Sequence, residues 1–153
     1  MTSSNGFDGS KVTFVHQVPL YAMTDDDVLW ALEHERCHTE VQPEGRISIP
    51  RGTSDEIKRR LDFLYGLRSV EEVRCYNHIL RAEQMGKFRI SQRSYNNAIS
   101  TYREVFSEML LDISGNDLAS RLFREYVDKN FINPYQLQFT NRAYLGMGAE
   151  EHR

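Results

Sequence analysis

The sequence predicts a mainly α protein: a helical bundle of about five helices with an extended N-terminal arm and at most a small β element. Three observations carry this. Helix-start signals recur: Thr24 before Asp25-Asp26-Asp27, Ser54 before Asp55-Glu56, and Ser69-Val70-Glu71-Glu72. Apolar residues return at helical spacing behind each start. The 153-residue length suits one domain with one core, and 40% hydrophobic against 27% charged residues is an ordinary globular balance.

Residues 1–10 read as a flexible arm and 146–153 as a flexible tail, leaving 11–145 as a single helical domain. Lys11 to Tyr21 alternates, with Val12, Phe14, His16 and Val18 on one face, which predicts a strand or extended arm stopped by Pro19. The first helix is capped by Thr24, carries three aspartates at its positive end, and is ended by Gln42-Pro43-Glu44-Gly45. Arg46 to Pro50 reads as a short second strand. The second helix opens at Thr53 or Ser54, buries Ile57, Leu61 and Leu64, and closes at Gly66. The third is capped at Ser69, carries Val70, Val73, Cys75 or Tyr76, Ile79 and Leu80, and stops near Gly86. The fourth runs from Ser91 to about Ile113 with a wide stripe of Tyr95, Ala98, Ile99, Tyr102, Phe106, Met109, Leu110 and Ile113. Asn116 caps a fifth helix with Leu118, Leu122, Phe123, Tyr126 and Val127, and Asn133-Pro134 starts a short last one.

Composition bounds the function. No apolar run approaches the ~20 residues of a membrane span, and MTSSNGFDGS has neither the basic region nor the apolar core of a secretory signal. Cys37 and Cys75 lie far apart without a C-x-x-C pair, which reads as two free buried thiols in an intracellular, reducing compartment. A net charge of −3 disfavours nucleic acid. Fifteen of the nineteen cations are arginine, the cation of interfaces, and eight tyrosines accompany them.

One pattern names a chemistry. His34, Glu35 and His38 spell H-E-x-x-H, and the i, i+4 spacing puts both imidazoles on one helix face. There they could hold zinc, with Glu35 as general base toward water. The surroundings argue otherwise. Arg36 sits between the ligands, Glu40 follows where an apolar residue is usual, and Val41 and Glu44 stand where a glycine and a third histidine would complete the metzincin pattern. Glu56, Glu71 or Glu72 remain as distant third ligands. On the sequence alone the motif reads as structural, with Trp30, Cys37 and Val41 facing the core, no catalytic residue and no cofactor.

Other candidates read blandly. Cys75 and His78 share a face as a buried thiol and a satisfied histidine. Lys58-Arg59-Arg60 is a solvated basic face paired to nearby acids. Arg89, Arg93, Tyr95, Tyr102 and Arg103 offer a base-stacking strip, but the tyrosines suit the core better.

The back half resembles the LYR-motif proteins of mitochondria in two registers. In one, Cys75-Tyr76-Asn77-His78-Ile79-Leu80-Arg81 is similar to L-Y-R-x-x-L-R, keeping the Tyr and the final Leu-Arg, with Phe106 as the downstream phenylalanine. In the other, Thr101-Tyr102-Arg103 is the motif, and Arg121, Tyr126, Lys129 and Pro134 follow near the later family positions. Pro19-Leu20-Tyr21, the acidic cap before Val28, and Arg81-Ala82-Glu83-Gln84 also resemble the small matrix-side helical subunit of cytochrome bc1. Either resemblance implies a non-enzymatic accessory or assembly subunit on the mitochondrial matrix side. Its partners would be other protein subunits, an acyl carrier protein among them. Tyr76, Leu80, Arg81, Tyr102, Arg103, Arg121 and Arg124 would be the contact residues. A zinc-dependent hydrolase is the first alternative, and a small nucleic-acid-binding or viral structural protein the second.

Overall fold

The computed structural model describes residues 23–39 and 49–138, together with the backbone of two short strands. These are β1 (Thr2–Ser3) and β2 (Val12–Thr13), paired antiparallel with Thr2 opposite Thr13. The rest of the expected arm, the alternating stretch beyond β2, Val41 and the tail from 146 lie outside the described residues. So does most of the second strand expected over 46–50, whose described end, Ile49 and Pro50, is irregular.

Five helices follow: α1 (Asp25–Thr39), α2 (Asp55–Tyr65), α3 (Arg68–Gln84), α4 (Gln92–Asp112) and α5 (Leu118–Asn130), then a 3-10 turn, Pro134–Gln136. The architecture is the mainly α bundle that the periodicity predicts. No described helix is long and apolar enough to cross a membrane.

The starts follow local chemistry. Thr24 and Asp27 form a reciprocal box, Asp27 N–H donating to Thr24 Oγ1 (3.0 Å) and Thr24 N–H to Asp27 Oδ2 (3.2 Å). Ser54, one of the two starts expected for α2, caps it, and Ser91 and Asn133, where the next starts were expected, cap α4 and the 3-10 turn. Two expected caps are corrected. Ser69 lies inside α3, where its hydroxyl donates to Asp112 Oδ2 (2.7 Å), and the N-cap is Leu67, with no side-chain bond. Asp117, not Asn116, caps α5, because its carboxylate reaches both Ser120 N–H (3.2 Å) and Ser120 Oγ (2.8 Å). At Gly115 in the turn before it, a Cβ would stand 2.6 Å from Asp117 Oδ1, so a larger residue would displace the capping carboxylate. Gly86 ends α3 at φ 82°, and Lys87 N–H returns to Ala82 O (3.0 Å).

α3 is the central helix. It packs on α4, α1 and the end of α2, α2 packs on α5, and the 3-10 turn rests on α4. The core joins Leu61 and Leu64 of α2, Val70, Val73, Ile79 and Leu80 of α3, Tyr102, Phe106 and Met109 of α4, and Phe123, Tyr126 and Val127 of α5. Burying each such side chain contributes about 1.5–3 kcal/mol. Leu110 and Leu118, expected on buried stripes, are 40% and 41% exposed, each at the outer edge of its helix.

α1 is held differently. Among its residues only Asp27 and Trp30 are buried. Trp30 Nε1 donates to Ile79 O of α3 at 2.8 Å. Asp27 reaches α4, accepting from Ser91 N–H (2.7 Å) and Ser91 Oγ (2.7 Å). Cys37 is joined to Cys75 of α3 in a disulfide, with Cα atoms 5.6 Å apart. That corrects the reading of two free thiols: the α1–α3 packing brings the two backbones within disulfide span.

Candidate metal centre

The α1–α3 seam places four titratable side chains together beside the disulfide. His34 and His38 project from one face of α1, one turn apart. Opposite them the first two turns of α3 present Glu71, Glu72 and Cys75. The disulfide fixes the register: Cys37 is the neighbour of His38, and Cys75 lies one turn beyond Glu71 and Glu72.

Three potential ligand atoms converge. His34 Nε2 and His38 Nε2 are 3.1 Å apart, Glu72 Oε1 is 3.3 Å from His38 Nε2, and it is 3.7 Å from His34 Nε2. Zinc bonds of about 2.0–2.2 Å in a tetrahedral array set ligand atoms about 3.3–3.5 Å apart, so this triangle is already near the required size. One proton can bridge one edge of such a triangle, whereas one cation meets all three atoms. Two imidazoles and one carboxylate are also a donor set of catalytic zinc sites. A carboxylate oxygen of Glu35 lies within 4.8 Å of the ligand nitrogens of both histidines.

The outer partners fit as well. His38 Nδ1 stands 2.9 Å from Glu71 Oε2. A carboxylate only accepts, so Nδ1 carries the proton and the Nε2 lone pair is directed into the triangle. Carboxylates in this position orient metal-binding histidines and raise their basicity. The His34 ring packs edge-on against Tyr76, centroids 4.2 Å apart. Both imidazole side chains are 12% exposed, with Glu72 at 27% and Glu71 at 38%.

Ionisation follows this geometry. The imidazoles of His34 and then His38 hold the Glu72 carboxyl well below the usual carboxylate range against the opposing effect of burial. Glu72, with Glu71 behind it, pulls His38 upward. Burial, with the Glu72 charge, pushes the Tyr76 hydroxyl up to about 12, so it stays protonated.

The sequence objection from Arg36 is met in space. Two residues along a helix turn through about 200°, so Arg36 leaves the ligand face. It forks onto Glu33, Nε to Oε1 at 3.1 Å and Nη2 to Oε2 at 2.7 Å, and is half exposed. Glu33 also meets His78 Nε2 (2.8 Å), so His78 is drawn to Glu33 and Cys75 to the disulfide. Arg36, ahead of the opposing effect of burial and then of His78, keeps the Glu33 carboxyl below its ordinary range. Glu56, the other distant ligand considered, is on α2 and lines a cleft between α2 and α5 instead.

The expected contact residues mostly serve the fold itself. Leu80 is in the core, and Tyr102 is fully buried with its hydroxyl on Ile132 O (2.6 Å). Arg81 donates to Asn130 O (3.1 Å), Arg103 to Pro134 O (3.2 Å) and Leu137 O (2.8 Å), and Arg124 to Ile113 O and Gly115 O (2.7 Å each). Tyr76 lies between His34 and Tyr102, and Arg121 is exposed on α5. In the basic run, Lys58 pairs with Asp55 (4.0 Å) and Arg60 with Asp117 (3.9 Å). The chain matches no protein-family model, no curated protein and no solved structure.

Proposed function

We propose that this chain is a zinc protein. His34 Nε2, His38 Nε2 and Glu72 Oε1 are the ligands, and Glu35 takes a proton from water in a hydrolytic reaction. The observation that carries this is the triangle of two imidazole nitrogens and one carboxylate oxygen with edges of 3.1, 3.3 and 3.7 Å. Zinc in a three-ligand site lowers the pKa of water toward about 7. Glu35 supplies a carboxylate near that point, Glu71 holds the His38 tautomer, and Tyr76 packs against His34.

A second reading is a non-enzymatic accessory subunit, the role implied by the resemblance to LYR-motif proteins, in which the same metal joins α1 to α3. It is favoured by the 12% exposure of both imidazoles, which limits a substrate's access to the metal.

Elemental analysis of protein purified without chelator tests the metal. Near one zinc per chain is expected, lost in His34→Ala, His38→Ala and Glu72→Ala and kept in Glu35→Gln. Metal absent from the wild type, or retained in all three alanine variants, would refute the site. Turnover of ester and peptide substrates then separates the readings. The hydrolytic reading requires zinc-dependent turnover that falls by about 100-fold or more in Glu35→Gln; zinc without turnover leaves the accessory role.

A further inference from the structure

A second polar cluster lies where α3 meets the end of α2 and α5, and the metal centre does not use it. Arg74 is 2% exposed, and its Nε has no hydrogen-bond partner. Its guanidinium lies over the Tyr65 ring, Cζ 5.1 Å from the centroid. The Tyr65 ring contacts Phe123 and Tyr126 of α5, and its hydroxyl is buried without a partner. Asn77, one turn along α3 from Arg74, is fully buried. Its Oδ1 accepts from Ile132 N–H (2.9 Å), but its Nδ2 meets no acceptor. The remaining unpartnered buried polar atom among the described side chains, Asn96 Oδ1, is on α4.

These unmet groups share one sign. The guanidinium Nε–H and the amide N–H₂ are donors, and the phenolic O–H can donate. No salt bridge of Arg74 exists among the described residues. A buried charge without a counter-charge is among the most costly groups a fold can carry, and a stacked arginine fork is the side chain best suited to a planar or tetrahedral oxyanion. Arg74 is two residues from Glu72, so it leaves α3 on a different side from the metal ligands.

We propose that Arg74, with Tyr65 and Asn77, is a binding site for a small oxyanion, the carboxylate or phosphate group of a ligand. The bidentate fork contacts the anion, and the two neutral donors complete its shell.

The test is thermal melting of the full metal-free chain at constant ionic strength, with inorganic phosphate and acetate as probes. The melting temperature should rise by roughly 5 °C or more at anion about 100-fold above its Kd. Phosphate acting alone assigns a phosphoryl ligand, and acetate acting alone assigns a carboxylate. Arg74→Met should abolish the rise and melt no lower than wild type without anion, since it removes an uncompensated charge. Arg74→Lys keeps the charge but not the fork and should retain a smaller rise. No rise with either probe, an undiminished rise in Arg74→Met, or an Arg74→Met protein that melts well below wild type without anion would each overturn the proposal.

Discussion

α3 presents two different surfaces, and they are joined to their neighbours by different physics. Toward α4 and α5 the packing is apolar, with Val70, Val73, Ile79 and Leu80 in one core with Tyr102, Phe106, Met109, Phe123 and Val127. Toward α1 the apolar contribution is little more than Trp30, and the seam is made of directed bonds: Trp30 to Ile79 O, the histidines to Glu71 and Glu72, and the Cys37–Cys75 bridge, while Asp27 ties α1 to Ser91 of α4. Apolar packing is indifferent to pH, metal and redox state. A directed seam depends on pH and redox state, and on metal if the proposed zinc is bound. The bridge alone closes a loop of 38 residues, which restricts the unfolded chain by about 4 kcal/mol in the chain-entropy account. α1 is therefore the conditional helix and the rest of the bundle the unconditional one.

The largest expected effect breaks the apolar side. Phe123 is fully buried, with Tyr65 and Tyr126 around it. Phe123→Ala should cost about 3–5 kcal/mol, a large share of the ~5–15 kcal/mol of a typical domain. Urea unfolding followed by circular dichroism should show one transition moved bodily to lower denaturant. Loss of α1 alone, with the remainder unmoved, would contradict the division drawn here.

A smaller effect is expected on the directed side. Asp27 is 1% exposed and accepts from Thr24 N–H, Ser91 N–H and Ser91 Oγ, so one carboxylate serves the N-termini of α1 and α4. Asp27→Ala leaves those donors without it and should cost about 2 kcal/mol. Hydrogen exchange should quicken in α1 and the first turn of α4 while α5 keeps its protection. Uniform loss across all five helices would show that α1 is no separate unit.

The same contrast explains what the sequence disclosed. The apolar stripes were legible because helical periodicity is a local signal, and so were the caps at Thr24, Ser54, Ser91 and Asn133. Ser69 misled because Asp112, 43 positions away, competes for its hydroxyl. At α5, Asn116 and Asp117 are both good caps, and only the second reaches Ser120. The motif at His34 and His38 was visible too, but its meaning depended on which residue of α3 stands opposite. Nothing local sets that register. The signal that could have set it is the cysteines: pairing Cys37 with Cys75 brings Glu71 and Glu72 against the histidines. Arg36 looked like an obstacle because neighbours in sequence are not neighbours around a helix. The donors at Arg74, Asn77 and Tyr65 were not legible, since burial without a partner is a property of the packed state.

The smallest effect, and the sharpest, is the pH dependence of the seam. The folded pKa of His38 lies above its ordinary 6.5. Its contribution is fully present below pH 6.5 and is lost as pH rises through the folded value. Glu72 is lowered from 4.5, so its contribution is present above pH 4.5 and is lost as pH falls toward the folded value. The metal-free seam is thus strongest between pH 4.5 and 6.5. The proposed zinc would reverse the upper limit, because it needs the His38 Nε2 lone pair and gains as the proton leaves. Melting temperatures from about pH 5.5 to 8.5 should fall with pH for chelated protein and hold or rise for zinc-loaded protein, the two curves separating above about pH 6.5. His38→Ala should flatten the metal-free slope. If the chelated protein instead gains stability steadily across that range, or the slope survives in His38→Ala, the His38–Glu72 pair is not what joins α1 to α3.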